Sequence, residues 1–158
     1  MRRYGDPVDP RRRYRDRPGA YAVIEDGGDV LVTEQSAPTR EFQLPGGGLD
    51  PGEGALAALH RECLEETGWR IRVLRRLGAF QRYAWLPDYD IWARKVCHIY
   101  LARPVRRIGA PADPLHRAVW MPFPTAIALI GNDGDRHYLA LRATAQRPAP
   151  GDRRGSHA

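Results

Sequence analysis

Short β-prone runs separated by turn signals occupy the first third of the chain. Tyr21–Glu25 and Val30–Thr33 flank Asp26-Gly27-Gly28-Asp29, a pattern that predicts a hairpin. Phe42–Leu44 predicts a third strand, stopped by Pro45. Residues 45–52 (Pro-Gly-Gly-Gly-Leu-Asp-Pro-Gly) are too rich in glycine and proline for a regular element and predict a loop. At Glu53 the period changes to that of a helix. Leu56, Leu59 and Cys63 recur on one stripe, with Leu64 at its edge, so a helix is expected over Glu53–Thr67, with Gly68 as its C-cap. Strands follow at Ile71–Leu77, Ala79–Tyr83, Ala93–Leu101 and Ala118–Met121, with loops at Leu86–Asp90 and Pro104–Pro114. Helices are expected at Pro124–Ile130 and Asp135–Gln146. Hairpins in front and helices behind predict an α/β fold, a mixed sheet covered by helices.

The predicted helix from Glu53 has a second pattern beside its apolar stripe. Glu62, Glu65 and Glu66 stand at i, i+3 and i+4, where like charges destabilise a helix by roughly 0.2–0.5 kcal/mol per pair. A solvated acidic face is the ordinary outcome for a glutamate-rich helix. The glycine loop ahead of it shifts the reading toward a cation site, because hard divalent cations prefer oxygen ligands and turn mutual repulsion into shared coordination. Glycines let backbone approach closely, supplying a carbonyl and room for a bulky phosphate. Magnesium commonly binds few carboxylates and completes its shell with substrate phosphates and water, so the expected substrate carries phosphate. Arg61 is read as a structural salt bridge to Glu53 or the loop.

The spacing Gly47, five residues, Glu53, seven residues, then Arg61-Glu62-Cys63-Leu64-Glu65-Glu66-Thr67-Gly68-Trp69 resembles the Nudix box, and Leu44-Pro45-Gly46-Gly47 resembles the family's approach to it. Cys63 and Trp69 depart mildly from the usual residues at their positions. Ala118-Val119-Trp120-Met121-Pro122 resembles the family's late strand, extending the likeness to residues 18–146. The resemblance implies an α/β/α sandwich with a mixed sheet. It also implies Mg²⁺-dependent hydrolysis, with Mn²⁺ as a substitute, of nucleoside diphosphates linked to another moiety. Glu62, Glu65 and Glu66 would hold metal with the Gly46 carbonyl, and Glu53 and Arg61 would support the cluster.

Glu65 is the candidate base, with Glu62 the second catalytic carboxylate. Asp88, Asp90, Asp113 and His116 lie outside the box and are alternatives for the base, each read more readily as an ordinary loop residue. Arg40, Gly47, Arg94 and Lys95 are candidate substrate contacts, and Tyr83, Trp85 and Tyr89 could stack on a base or support the hairpin. ADP-ribose, dinucleoside polyphosphates, nucleoside triphosphates and 5′-triphosphorylated RNA all stay open as substrates.

Composition alters this picture at the ends. Net charge is +6, but residues 1–17 carry seven Arg against three Asp and residues 147–158 three Arg against one Asp, leaving residues 18–146 neutral in sum. Both ends read as flexible tails flanking one domain over 18–146, with RNA as a candidate partner and a homodimer left open. Two isolated cysteines, Cys63 and Cys97, and no long apolar run predict a soluble cytoplasmic protein with no membrane partner. Two other classes compete: a catalytically silent binding or regulatory module, which loss of box carboxylates would mark, and an RNA-associated protein acting through its basic tails.

Overall fold

The computed structural model describes residues 1–146. Strands β3 (Gly19–Asp26) and β4 (Asp29–Gln35) form the expected hairpin, in register at Ile24↔Leu31, Glu25↔Val30 and Asp26↔Asp29. Beyond these pairs the two strands part. The first half of β3 pairs antiparallel with β6 (Gly46–Gly48), and β4 continues against β9 (His116–Pro122) and β5 (Glu41–Gln43). On its other edge β3 pairs parallel with β8 (Ile91–Arg107), so the sheet is mixed.

The long partner of β8 is β7 (Trp69–Leu86), and the two make one continuous antiparallel ribbon, joined by a single 3₁₀ turn at Pro87–Tyr89. Sequence patterning splits this ribbon at Gly78 and ends it before Pro104. The ribbon absorbs these residues at or beside register shifts between Arg70/Ile71, Val73/Arg75 and Arg76/Gly78, because a bulge accommodates an unpaired residue without ending the ladder. The predicted 104–114 loop therefore begins only after Arg107.

Side-chain alternation gives the sheet two apolar faces. Ala20, Ala22 and Ile24 of β3 pack with Leu59 and Cys63 of α1 (Ala55–Thr67). Tyr21 and Val23, on the opposite face, pack with Phe123, Ala126 and Ile130 around α2 (Phe123–Leu129) and Leu139 of α3 (Asp133–Ala145). The result is an α/β/α sandwich. One residue of the predicted stripe is misplaced: Leu56 is 49% exposed, and Ala58 is buried in the helix's first turns instead. The helix also starts two residues later than Glu53, after Gly54, because Glu53 is engaged in the turn ahead of it, accepting the Asp50 N–H at 3.0 Å.

Residues 1–17, which composition assigns to a flexible tail, are ordered. β1 (Arg2–Gly5) pairs parallel with β7 over Phe80–Tyr83, and β2 (Tyr14–Asp16) pairs parallel with β8 over Trp92–Arg94. Apolar contacts missed by a count of arginines hold them: Tyr4 packs edge-on against Phe80 at 5.4 Å, and Tyr14 against Tyr83 at 4.8 Å. The predicted tail over 147–158 lies outside the described residues.

Asp135, in the first turn of α3, is buried and accepts the Leu44 N–H at 3.4 Å. Burial pushes its carboxyl up from 3.8 to about 6. A folded-state pKa above the unfolded one gives a contribution present below the unfolded value and lost as pH rises through the folded one. Asp135→Asn is therefore expected to gain on wild type between about pH 4 and about pH 7, by up to about 3 kcal/mol. Urea unfolding at the two pH values measures this; a wild-type-minus-variant difference that does not change with pH would contradict it.

Candidate active site

Within the predicted 45–52 loop, Gly46–Gly48 form strand β6 while 49–52 stay irregular, and the strand's conformation explains the glycines. Gly46 has φ +142, and a Cβ there would collide with the Ala20 carbonyl oxygen. A Cβ on Gly47 would sit 2.7 Å from both carboxylate oxygens of Glu62. The strand thus lies directly against the acidic side of α1. It is sewn in place by the Ala22 N–H donating to the Pro45 carbonyl at 3.0 Å and the Leu49 N–H donating to the Pro18 carbonyl at 3.0 Å.

Arg61 organises the acids. Its Nε and one terminal nitrogen donate to the two oxygens of Glu53 at 2.9 and 2.8 Å. The remaining donors reach Glu62 at 2.9 Å, Glu65 at 3.4 Å and the Gly48 carbonyl at 3.1 Å. This guanidinium holds the Glu53 carboxyl down at about 2, and the acids in turn raise the Arg61 pKa.

Glu66 is in a different environment. It is only 8% exposed, accepts the Gly46 N–H at 3.2 Å, and lies 3.5 Å from His116 Nε2. Burial pushes its carboxyl up to about 8, reinforced by the charges of Glu62, Asp113 and Glu65 and opposed by the Gly46 bond. Burial likewise raises Glu62. His116 is held at Nδ1 by Asp113 at 2.8 Å. The loop carrying Asp113 is tied to the helix, since the Ala112 and Asp113 N–H groups both donate to the Glu65 carbonyl. The two residues read from sequence as ordinary loop positions therefore stand at the carboxylate cluster. Nothing local in the sequence marks them, because their neighbour, Glu66, is fifty residues away in His116's case.

Beside Glu62 opens a cavity of about 220 Å³ lined by Arg17, Tyr21, Gly48, Leu49, Asp50, Glu62, Leu86, Tyr89 and Lys95. One wall is acidic and another basic. Lys95 and Tyr89 were legible as candidates; Arg17 was not, being one of seven arginines in an apparent tail. Its guanidinium lies 4.3 Å from the centre of the Tyr89 ring, and its N–H donates to the Arg94 carbonyl at 2.9 Å. The other sequence candidates are elsewhere. Arg94 faces Asp16 at 3.6 Å, and Arg40 is paired with Glu34, which also binds Arg117. Tyr83 and Trp85 belong to an aromatic cluster with Tyr14 and Trp92. Asp88 and Asp90 lie exposed at the tip of the ribbon.

The donor set suits a hard divalent cation: three glutamates in consecutive turns, backbone brought against one of them by Gly47, and a buried carboxylate destabilised by its acidic neighbours. Among the described residues no three His, Cys, Asp or Glu side chains already converge as a closed cage, since Arg61 engages Glu62 and Glu65.

Comparison with known proteins agrees with this geometry. The chain is 39% identical over 66 residues to a putative 8-oxo-dGTP diphosphatase of Bacillus subtilis, covering 40% of this chain and 43% of that protein. It is 34% identical over 91 residues to a CMP-5′-(N-acetyl-N-hydroxy-3-aminopropyl)phosphonate hydrolase of Streptomyces rubellomurinus, covering 56% and 41%. The match thus spans less than half the length of these curated relatives. Among solved structures, a NUDIX hydrolase from Nitrosomonas europaea shares the fold with a TM-score of 0.67 at 20% identity, covering 84% of this chain and 92% of that one. The NUDIX domain family model matches residues 14–143, spanning the glycine strand, the carboxylate helix and the sheet that carries them, and so the chain belongs to the Nudix family.

Proposed function

We propose that this chain hydrolyses a phosphoanhydride bond in a nucleoside diphosphate derivative, with Mg²⁺ as the working cation and Mn²⁺ as a substitute. The observation that carries the reading is the buried Glu66, bonded to Gly46 and flanked in the helix by Glu62 and Glu65, with Glu62 lining a cavity that Arg17 and Lys95 also line. Opposite charges on two walls suit a substrate that carries a phosphate chain into the acidic wall through a cation and presents its remaining anionic groups to the basic one.

Glu62, Glu65, Glu66 and the Gly46 carbonyl would hold the cation, which when bound supplies Lewis-acid charge against the phosphoryl oxygens and the attacking water. Glu66 is fixed by Gly46 and steadied by the His116–Asp113 pair, so its orientation is set before substrate arrives. Glu53 keeps Arg61 extended across the cluster. Glu65 is the freest of the three glutamates, with its side chain 47% exposed and one long contact to Arg61, which favours it as the group that takes the proton from water. Arg17 and Tyr89 close the opposite wall as a cation–aromatic pair suited to gripping a base or a terminal phosphate. Two buried free cysteines support a reducing, cytoplasmic setting, and no helix of the described residues is long and apolar enough to cross a membrane.

Glu62→Gln and Glu66→Gln are each expected to lower turnover on nucleotide substrates on the order of 10²-fold or more with the thermal transition retained. Near-normal rates in both would sink the cation assignment. Gly47→Ala displaces the flexible Glu62 carboxylate rather than the sheet, so kcat is expected to fall about tenfold or more while circular dichroism is unchanged. Arg17→Ala and Tyr89→Ala should each raise KM by roughly tenfold and leave kcat nearly constant. Unaltered KM in both removes them from the substrate.

A further inference from the structure

The sum of charges over residues 18–146 is zero, but the charges are not evenly spread. Many acids of the folded domain are already engaged: Glu53, Glu62 and Glu65 by Arg61, Glu34 by Arg40 and Arg117, and Glu25 by Arg142. The base of the β7–β8 ribbon has the opposite character. Trp69, Ile71 and Val73 point to the α1 side of the sheet, so Arg70 and Arg72 point to the other. The register places Arg70 directly across from Arg106 and Arg72 directly across from Arg103. Arg75 lies on the same side, bordering the groove lined by Tyr138, Leu141 and Arg142 of α3.

Like charges directly opposite one another on a ribbon destabilise it. Here two such pairs are adjacent, all five arginines are exposed, and none has a carboxylate within 4.0 Å among the described residues. Arg103 borders a cavity of about 370 Å³ with Glu25 and Asp26, but Glu25 is held by Arg142 at 2.6 and 2.7 Å and by Gln146 at 2.7 Å, and Asp26 forms no ion pair among the described residues. Residues 147–158 carry three Arg against one Asp, so their sequence adds no net negative charge. A repeating external anion is the complementary partner. Same-side positions on a strand recur every 6–7 Å or so, giving a two-column array of guanidinium forks, each able to engage two phosphate oxygens.

We propose that Arg70, Arg72, Arg75, Arg103 and Arg106 form a binding face for the phosphodiester backbone of a nucleic-acid strand, on the side of the sheet opposite the carboxylate helix. This face is separate from the proposed hydrolytic site and does not depend on that reading. It assigns the basic character of the protein to the folded ribbon rather than to its ends.

The test is a fluorescence-anisotropy titration of the full chain with an end-labelled single-stranded oligonucleotide of about 20 nucleotides over a range of salt concentrations. The variant Arg70→Ser/Arg72→Ser/Arg103→Ser/Arg106→Ser is compared with Arg2→Ser/Arg3→Ser/Arg13→Ser/Arg15→Ser, which removes the same charge from the N-terminal segment. The ribbon variant is expected to bind at least about tenfold more weakly at low salt, with its log–log salt slope reduced in magnitude by about 3, while the N-terminal variant changes affinity less than about threefold. Hydrolysis of small nucleotides and the thermal transition should be retained in both. An equal loss in the two variants means diffuse attraction and overturns the proposal, as does unchanged binding in the ribbon variant. Tighter capture by phosphatidylserine vesicles than by the oligonucleotide, abolished by the ribbon substitutions, would assign the face to a lipid surface and also overturn it.

Discussion

One guanidinium makes the acidic side of this protein foldable. Arg61 spans the gap between the turn before α1 and the helix itself, binding Glu53 through two nitrogens and Glu62, Glu65 and the Gly48 carbonyl through the rest. Without it, Glu53, Glu62 and Glu65 would lose the one cation that each is paired with among the described residues. A lysine could not replace it: a single ammonium has no fork with which to hold a carboxylate bidentately while reaching two more acids and a carbonyl.

The glycine strand is the second half of the same arrangement. Sheet pairing of β6 with β3 fixes its backbone, and the missing side chains at Gly46 and Gly47 let that backbone touch Glu62 and Glu66. The helix is thus positioned twice, once through its apolar stripe on the sheet and once through its acids on a strand of that sheet. Stability and chemistry share the same contacts. The hydrophobic interlock sets where the helix lies, and the polar one sets where its carboxylates point.

What was legible in the sequence follows from the range of the interactions involved. The box is contiguous and built from i, i+3 and i+4 relations, so the helix, its acids and the role of the glycines could be read from spacing. His116 and Arg17 could not, because their significance arises only when distant segments meet: His116 at Glu66 through β9 pairing with β4, Arg17 at Glu62 through β2 pairing with β8. The N-terminal segment misled for a related reason. Its arginines dominate its composition, but Tyr4 and Tyr14 dock it. Leu56 misled in the other direction, an apolar residue on the predicted stripe that is exposed in the first turn of the helix. The neutrality of residues 18–146 is a sum only, since at the base of the ribbon Arg70, Arg72, Arg103 and Arg106 stand exposed with no carboxylate within 4.0 Å among the described residues.

The parallel pairing of β1 and β2 has a consequence for the order in which the protein takes shape during synthesis. Arg2–Gly5 finds its partners at Phe80–Tyr83, and Tyr14–Asp16 at Trp92–Arg94, so both segments stay without their native neighbours until the ribbon, later in the chain, has been made. At roughly 5–20 residues per second, that interval is several seconds for a nascent chain. The carboxylate helix, by contrast, packs mostly on strands near it in sequence, β3, β6 and β7, and less on β9. The acidic side of the cavity can therefore begin to form before the basic side, and Arg17, made ahead of the helix, reaches its place after it.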